Sequence, residues 1–253
     1  MLDSLLDAIH ALSYGSLIGL AAIFAFAAAN AKALPLVYTF RLLPSLYRLF
    51  APRLSRNKKL TTIHSANTST SYNAASPALF RHDTMTSRAV ALDLDVNVHK
   101  SNSTFFADAD ISRARLLTGL LSAGLAGLGP ANFVLAGVQC RFQREIRPYQ
   151  AYAVSSRILA WNDRTLYVVT YFLRPGTALP FDLEVRGGPA ALAKDEKLRR
   201  SVFATMVTKY VFKAGRATVA PEQVFRAAGL LLEVGENKPV VRDDGTTAWN
   251  KGS

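Results

Sequence analysis

Residues 93–129 read DLDVNVHKSNSTFFADADISRARLLTGLLSAGLAGLG, a polar run that passes directly into a long apolar-periodic segment. Phe106, Ala109, Leu116, Leu117, Leu120 and Leu121 recur at near-helical spacing, which predicts a long, substantially buried helix. Asn102 or Ser103 can cap its start, and Gly127, Gly129 and Pro130 end it. Upstream, RAVALDLDV reads as a strand running straight into the polar run. Downstream, FVLAGVQCRFQREI alternates, with Val138, Cys140 and Phe142 on one face and Gln139, Arg141 and Gln143 on the other. AYAVSSRILAW and RTLYVVTYFLR flank Asn162 and Asp163, a hairpin turn by its chemistry. After a less regular insertion at about 175–200, SVFATMVTKYVFKAG is another long strand, and PEQVFRAAGLLLEV a short helix with Pro221 in its first turn. The order is strand, long helix, then about four antiparallel strands. That is an α+β pattern, one helix against a curled sheet, and its open edges invite a second copy to pair.

Half of the 253 residues are apolar, enough for a sizeable core. The formal charge of +12 first suggests nucleic acid, but its distribution points elsewhere. Seven basic residues lie from Lys32 to Lys59, and no acid occurs between Asp7 and Asp83. They sit beside Ala11–Ala31, a stretch of 21 residues without charge that would span roughly 31 Å as a helix. A membrane anchor is expected here. A cleaved signal peptide fits less well, because Asp3 and Asp7 precede the stretch and no Lys or Arg does; a buried helix is the third reading. The positive-inside rule turns the bulk of the chain to the cytoplasm. Residues 34–50, LPLVYTFRLLPSLYRLF, read as an interfacial helix broken by Pro35 and Pro44, or else as a helix packed on the domain behind it. The organisation expected is an anchor and basic segment over 1–60, a linker over 61–86, a globular domain over 87–235 and a polar tail over 236–253. His64 and His82 read as solvent-facing, and Cys140, the only cysteine, as core.

The segment DLDVNVH resembles the D-x-D-x-N-x-H stretch of hotdog-fold thioesterases, especially the plant acyl-carrier-protein type. The string from Leu92 to Arg113 is similar to the vertebrate membrane-anchored thioesterase superfamily member six type and its fungal relatives. The likeness continues through QCRFQREIRPYQAYAVSSRILAWNDRTLYVVTYF, with its WNDR hairpin, and resumes at VFKAG and PEQVF. It covers roughly residues 89–230. Such a resemblance implies a hotdog fold, a sheet wrapped round the central helix, with active sites at a homodimer interface. It also implies acyl-coenzyme A or acyl-carrier-protein thioesters as substrates, no cofactor or metal, and a biosynthetic role in lipid or polyketide metabolism. Two departures are evident: His99, Lys100, Ser101, Asn102 stands where relatives often read H-x-N-N, and Phe105 replaces a common tyrosine.

Thioester hydrolysis needs a base or nucleophile, a donor for the oxyanion and a dry tunnel for the chain. Carried over from the family motif, Asp95 is the base or nucleophile, Asn97 fixes water or the thioester, and His99 protonates the thiolate or orients the carboxylate. Asn102 at the helix start and Asp108 on the helix are the candidate substrate-binding residues. The residues alone leave alternatives: Asp93 and Asp95 as turn acids, Asn102 as a cap, Asp108 as a solvated first-turn acid. Asp93 reads as structural. The competing function is a hotdog binding or scaffold protein with feeble catalysis, whereas nucleic-acid binding is not expected. No G-x-S-x-G elbow, phosphate loop or metal-ligand spacing is present.

Overall fold

The structure, a computed structural model, describes residues 14–54, 78–129, 131–177, 196–231, 240–241 and 247–248. Two helices lead, α1 (Tyr14–Ala29) and α2 (Val37–Leu54), followed by strand β1 (Asp83–Arg88) and the long helix α3 (Asn102–Gly127). Strands β2 (Ala131–Phe142), β3 (Ala151–Trp161) and β4 (Leu166–Leu173) come next, then α4 (Glu196–Ser201), β5 (Val202–Ala214), β6 (Ala217–Val219) and α5 (Pro221–Ala227). The short strands β7 (Val240–Val241) and β8 (Thr247–Ala248) pair in the stretch expected to be a polar tail.

The sheet is antiparallel throughout, in the order β1-β3-β4-β5-β2, with β6 added to β5. It curls round α3, which is the hotdog architecture expected. The Asn162 turn forms as its chemistry demands: its side-chain oxygen accepts from the amides of Arg164 and Thr165, at 3.1 and 2.8 Å. That turn sets the β3/β4 register, Ser156 opposite Thr170. The 26 residues of α3 span about 39 Å, so one helix crosses two apolar clusters. Phe105, Ala109 and Ile111 join Tyr152, Val154 and Phe172 in the first. Leu117, Leu121 and Leu125 join Leu166, Phe212 and Phe225 in the second.

Several expectations change. The first strand ends at Arg88, and 91–93 form a 3-10 turn, so RAVALDLDV is not a strand. β1 starts inside the stretch expected as a linker. Helix α2 runs unbroken through Pro44 and packs on α3, with Leu49 in the core. His82 is buried and hydrogen-bonded to Ser155 Oγ at 2.9 Å. His64 lies outside the described residues. Among the described residues no helix is long and apolar enough to cross a membrane. Within the expected span, α1 has 16 residues, about 24 Å against a hydrocarbon core of roughly 30 Å. It is apolar all round and buries none of its side chains.

Two glycines of α3 give opposite predictions. A Cβ on Gly124 would lie 2.5 Å from the Val224 carbonyl oxygen and 2.8 Å from the Ala228 amide, both backbone atoms of the α5 segment. Gly124→Ala should therefore lose about 2 kcal/mol, because forced movement of α5 outweighs a helix-propensity gain of about 1 kcal/mol. Gly119 faces open space, so Gly119→Ala should gain about 0.5–1 kcal/mol. Urea unfolding midpoints of the two variants, shifted in opposite directions, check the pair.

Candidate active site

Between the 3-10 turn at Ala91–Asp93 and the start of α3, the chain makes a short excursion closed by a bridge between Leu94 and Lys100. The Asp95 amide donates to the His99 carbonyl at 3.0 Å, and the Val98 amide to the Asp95 carbonyl at 3.0 Å. Asp95 Oδ1 accepts from the Asn97 amide at 2.9 Å, the local turn that Asp chemistry favours. Oδ2 faces His99 Nδ1 at 3.5 Å, with both side chains a little over a quarter exposed. Val98 sits at φ 58°, a left-handed conformation that a β-branched residue rarely adopts, and Val96 is almost wholly exposed. The loop thus brings Asp95, Asn97 and His99 to the surface together. Asn97 meets Asp95 through its backbone amide, and its side chain is exposed.

Asn102 and Asp108 do not join them. Ser101 is the N-cap residue of α3 and Asn102 the first residue of the helix, exposed and not a cap. Asp108, only 1% exposed, lies one and a half turns along the helix in a buried ion cluster. Its Oδ2 accepts from Lys100 Nζ at 2.9 Å, Lys32 Nζ at 3.2 Å and Tyr152 Oη at 2.5 Å. Arg41 Nη1 stands 3.3 Å from its Oδ1. Asp93 completes the cluster, 2.5 Å from Lys32 Nζ and 3.5 Å from Lys100 Nζ. Asp108 is therefore not a solvated first-turn acid, because three cations and a hydroxyl enclose it.

The electrostatics follow from that enclosure. Burial opposes ionisation of Asp108, yet Lys100, Lys32 and the Tyr152 hydroxyl outweigh it and hold the carboxyl at about 2. Burial pulls the Lys100 ammonium below its ordinary value; Asp108 and Asp93 push back, while Lys32 adds to the pull. Burial and the adjacent Asp108 raise the Tyr152 phenol, so it donates its proton and does not lose it. Burial also pushes the Cys140 thiol up to about 11, which leaves no thiolate nucleophile near neutral pH.

Reading the sequence missed Lys32, Lys100 and Tyr152. Lys100 was visible only at the variable position of the motif, and Lys32 as one cation among seven. Their acid partners were in view, but nothing local in the sequence pairs residues 61 and 76 positions apart.

A cavity of about 450 Å³ opens between α2, α3, β2 and β5. Leu42, Leu46, Leu49, Phe133 and Leu135 line it, with Asp110 and Tyr210 among its polar members. Ser45, also in its wall, is buried with no hydrogen-bond partner for its hydroxyl. Asp95, Asn97 and His99 do not line this cavity.

The model of the Thioesterase-like superfamily matches residues 90–228. The chain belongs to this family. Among its relatives, the thioesterase poxG of Penicillium oxalicum is 37% identical over 188 residues, covering 68% of this chain and 61% of poxG. The chain thus spans about three fifths of that relative's length. Protein THEM6 of Xenopus laevis is 34% identical over 83 residues, 32% of this chain and 39% of THEM6. Among solved structures, the probable thioesterase YbaW of Escherichia coli has a TM-score of 0.43 at 12% identity, covering 58% of this chain and 96% of YbaW. Family membership bears out the resemblance drawn from DLDVNVH and the WNDR hairpin. The matched region begins at residue 90, so Lys32, Arg41 and the whole of α1 and α2 lie outside it.

Proposed function

We propose that the chain hydrolyses acyl thioesters of coenzyme A or of an acyl-carrier protein, with Asp95 as the reacting carboxylate. The observation that carries this reading is the Asp95–His99 pair, 3.5 Å apart on a strained loop at the head of the central helix of a thioesterase-like family member. In one route Asp95 takes a proton from water as the water attacks the acyl carbon; in the other its oxygen attacks directly and water opens the resulting anhydride. Either way the C–S bond breaks and the thiolate leaves with a proton, which His99 is placed to supply. Asn97 carries an exposed amide on the same loop, and the positive end of α3 near Asn102 favours the oxyanion.

Among the described residues no strand pairs with the outer edge of β2, which supports a homodimer. This edge strand has 12 residues and exposes Val134, Leu135 and Phe142, a surface that a second copy would cover. Helix α1, apolar on every side, supports membrane attachment, and the exposed Phe40, Leu43 and Tyr47 of α2 extend that surface. The basic residues after α1 favour the cytoplasmic side. There the enzyme would meet acyl thioesters of lipid or polyketide biosynthesis. A second reading, a hotdog binder or scaffold with feeble turnover, draws support from the apolar cavity that bypasses Asp95.

The deciding experiment incubates the full chain in detergent micelles with hexanoyl-, decanoyl- and palmitoyl-coenzyme A and follows the liberated thiol colorimetrically. Turnover that disappears in Asp95→Asn supports the hydrolase; acyl-chain binding without turnover supports the binder.

A further inference from the structure

Three features outside the reacting loop are unexplained by hydrolysis itself: the α2/α3 cavity, an arginine-lined cleft at Arg144, Arg174 and Arg200, and the junction between α1 and the loop. The junction is the most specific. Two residues directly after α1 reach into the family domain, and both clamp the stretch that leads into Asp95. The Asn30 side chain is buried, accepts from the Leu92 amide at 3.0 Å and donates to the Phe26 carbonyl at 2.9 Å. It therefore ties the last turn of α1 to the 3-10 turn. Lys32 Nζ meets Asp93 Oδ2 at 2.5 Å, Tyr152 Oη at 2.7 Å, the Arg88 carbonyl at 3.1 Å and Asp108 Oδ2 at 3.2 Å. One ammonium thus binds the end of β1, the turn before Asp95, the central helix and β3.

Asp93 is the hinge of this arrangement. Its carbonyl accepts from the Ser101 amide at 2.8 Å and from Thr104 Oγ1 at 3.3 Å, so it also fixes the far end of the loop to the start of α3. Residues 95–99 are held mainly by their own turn hydrogen bonds. The position of Asp95 is consequently set by the two flanks of the loop: Asp93 on one side, and on the other Lys100, whose amide donates to the Ile146 carbonyl at 2.9 Å.

We propose that Lys32, supplied from outside the family domain, is a positioning residue that holds Asp93 and through it orients Asp95 and His99. This rests on the hydrolase reading above. It also makes the α1 junction part of the catalytic unit: the same two residues, Asn30 and Lys32, follow the apolar helix and secure the reacting loop. Attachment of α1 to a lipid surface and the order of the site are then mechanically linked.

The test compares Lys32→Met, Lys32→Arg and the core variant Leu125→Ala in the full chain. Leu125 is fully buried in the second apolar cluster, away from the loop, and serves as the control for lost stability. With decanoyl-coenzyme A, Lys32→Met should lower kcat about 30-fold with KM changed less than about 3-fold, since a misplaced reacting group costs turnover more than binding. Lys32→Arg should recover about 10-fold of that loss, while Leu125→Ala keeps kcat within about 2-fold. Amide hydrogen exchange supplies a readout independent of turnover: exchange at Asp95 and Val98 should quicken about 10-fold in Lys32→Met and not in Leu125→Ala. Should Lys32→Met not fold, Asn30→Ala, which releases the Leu92 amide and the Phe26 carbonyl, is expected to shift both readouts in the same direction. Unchanged kcat in a folded Lys32→Met chain overturns the proposal, as does an equal loss in Leu125→Ala. If the wild-type chain shows no turnover, the hydrolase reading fails and exchange alone decides: unaltered exchange at Asp95 and Val98 rejects the clamp.

Discussion

Asp108→Ala is expected to destabilise the chain by about 3–5 kcal/mol, read as a lowered urea midpoint with little change in slope. The magnitude comes from what the substitution leaves behind. Lys100, with its side chain wholly buried, loses its nearest counter-charge at 2.9 Å, and Lys32 and Arg41 lose a shared partner. Asp93 alone would then face Lys100 at 3.5 Å, and the buried Tyr152 hydroxyl would have no carboxylate to donate to. Removing one member of a buried charge group costs more than the group contributes, because the remaining ions stay out of water. Asp108→Asn keeps the volume and one acceptor but not the charge, so it should fall between wild type and alanine.

The same residue predicts the acid limb of stability. Asp108 titrates at about 2 in the folded chain against 3.8 in the unfolded one, so the folded state binds fewer protons between those values. Its contribution, on the order of 2 kcal/mol, is complete above about pH 4 and is lost as pH falls toward 2. The stability gap between wild type and Asp108→Asn should narrow over that interval. Lys100 acts at the other end. Its lowered value means that the folded chain sheds this proton before the unfolded chain does, so the cost of its buried charge fades as pH rises toward 10.5.

Much of this fold was legible because its signals are local. Leu116, Leu117 and Leu121 mark the buried face of α3 by spacing alone, and Asn162 announces its hairpin through a bond made within three residues. The errors fall where a distant partner decides the outcome. RAVALDLDV looks like a strand, yet Lys32 draws Asp93 inward and the Asn30 side chain takes the Leu92 amide, so the segment closes into a turn. His82 looked solvated because its partner Ser155 lies 73 positions away on β3. Pro44 looked like a break, but α2 gains enough from packing Leu42 and Leu49 inward to continue through it. The candidate site shows the same division. The motif grouped Asp95, Asn97 and His99 along the sequence, but Asp95 fell within the expected strand, whereas all three lie on one loop between the 3-10 turn and α3. The cluster beneath that loop joins residues of the α1/α2 junction, the loop ends, α3 and β3, and so left no periodic trace.

Asp95→Asn should reduce acyl-coenzyme A turnover about 1,000-fold, the middle of the range for losing a positioned proton acceptor, and more if the carboxylate is the nucleophile. An amide keeps the side-chain volume and can still accept from the Asn97 amide, so the loop should survive and stability should change by less than about 1 kcal/mol. Kinetics and folding can therefore be read separately. His99→Ala should cost less, about 10–100-fold, because a thiolate departs readily without a strong acid beside it. Cys140→Ser should leave turnover within about 3-fold, since a thiol pushed up to about 11 stays protonated at neutral pH. The two routes for Asp95 separate in a single turnover run in water labelled with heavy oxygen. Direct attack passes an unlabelled Asp95 oxygen to the acid and can leave label in the protein, whereas a general base sends the label only to the product. Full turnover in Asp95→Asn would remove the carboxylate from the chemistry and assign hydrolysis to another group of the chain.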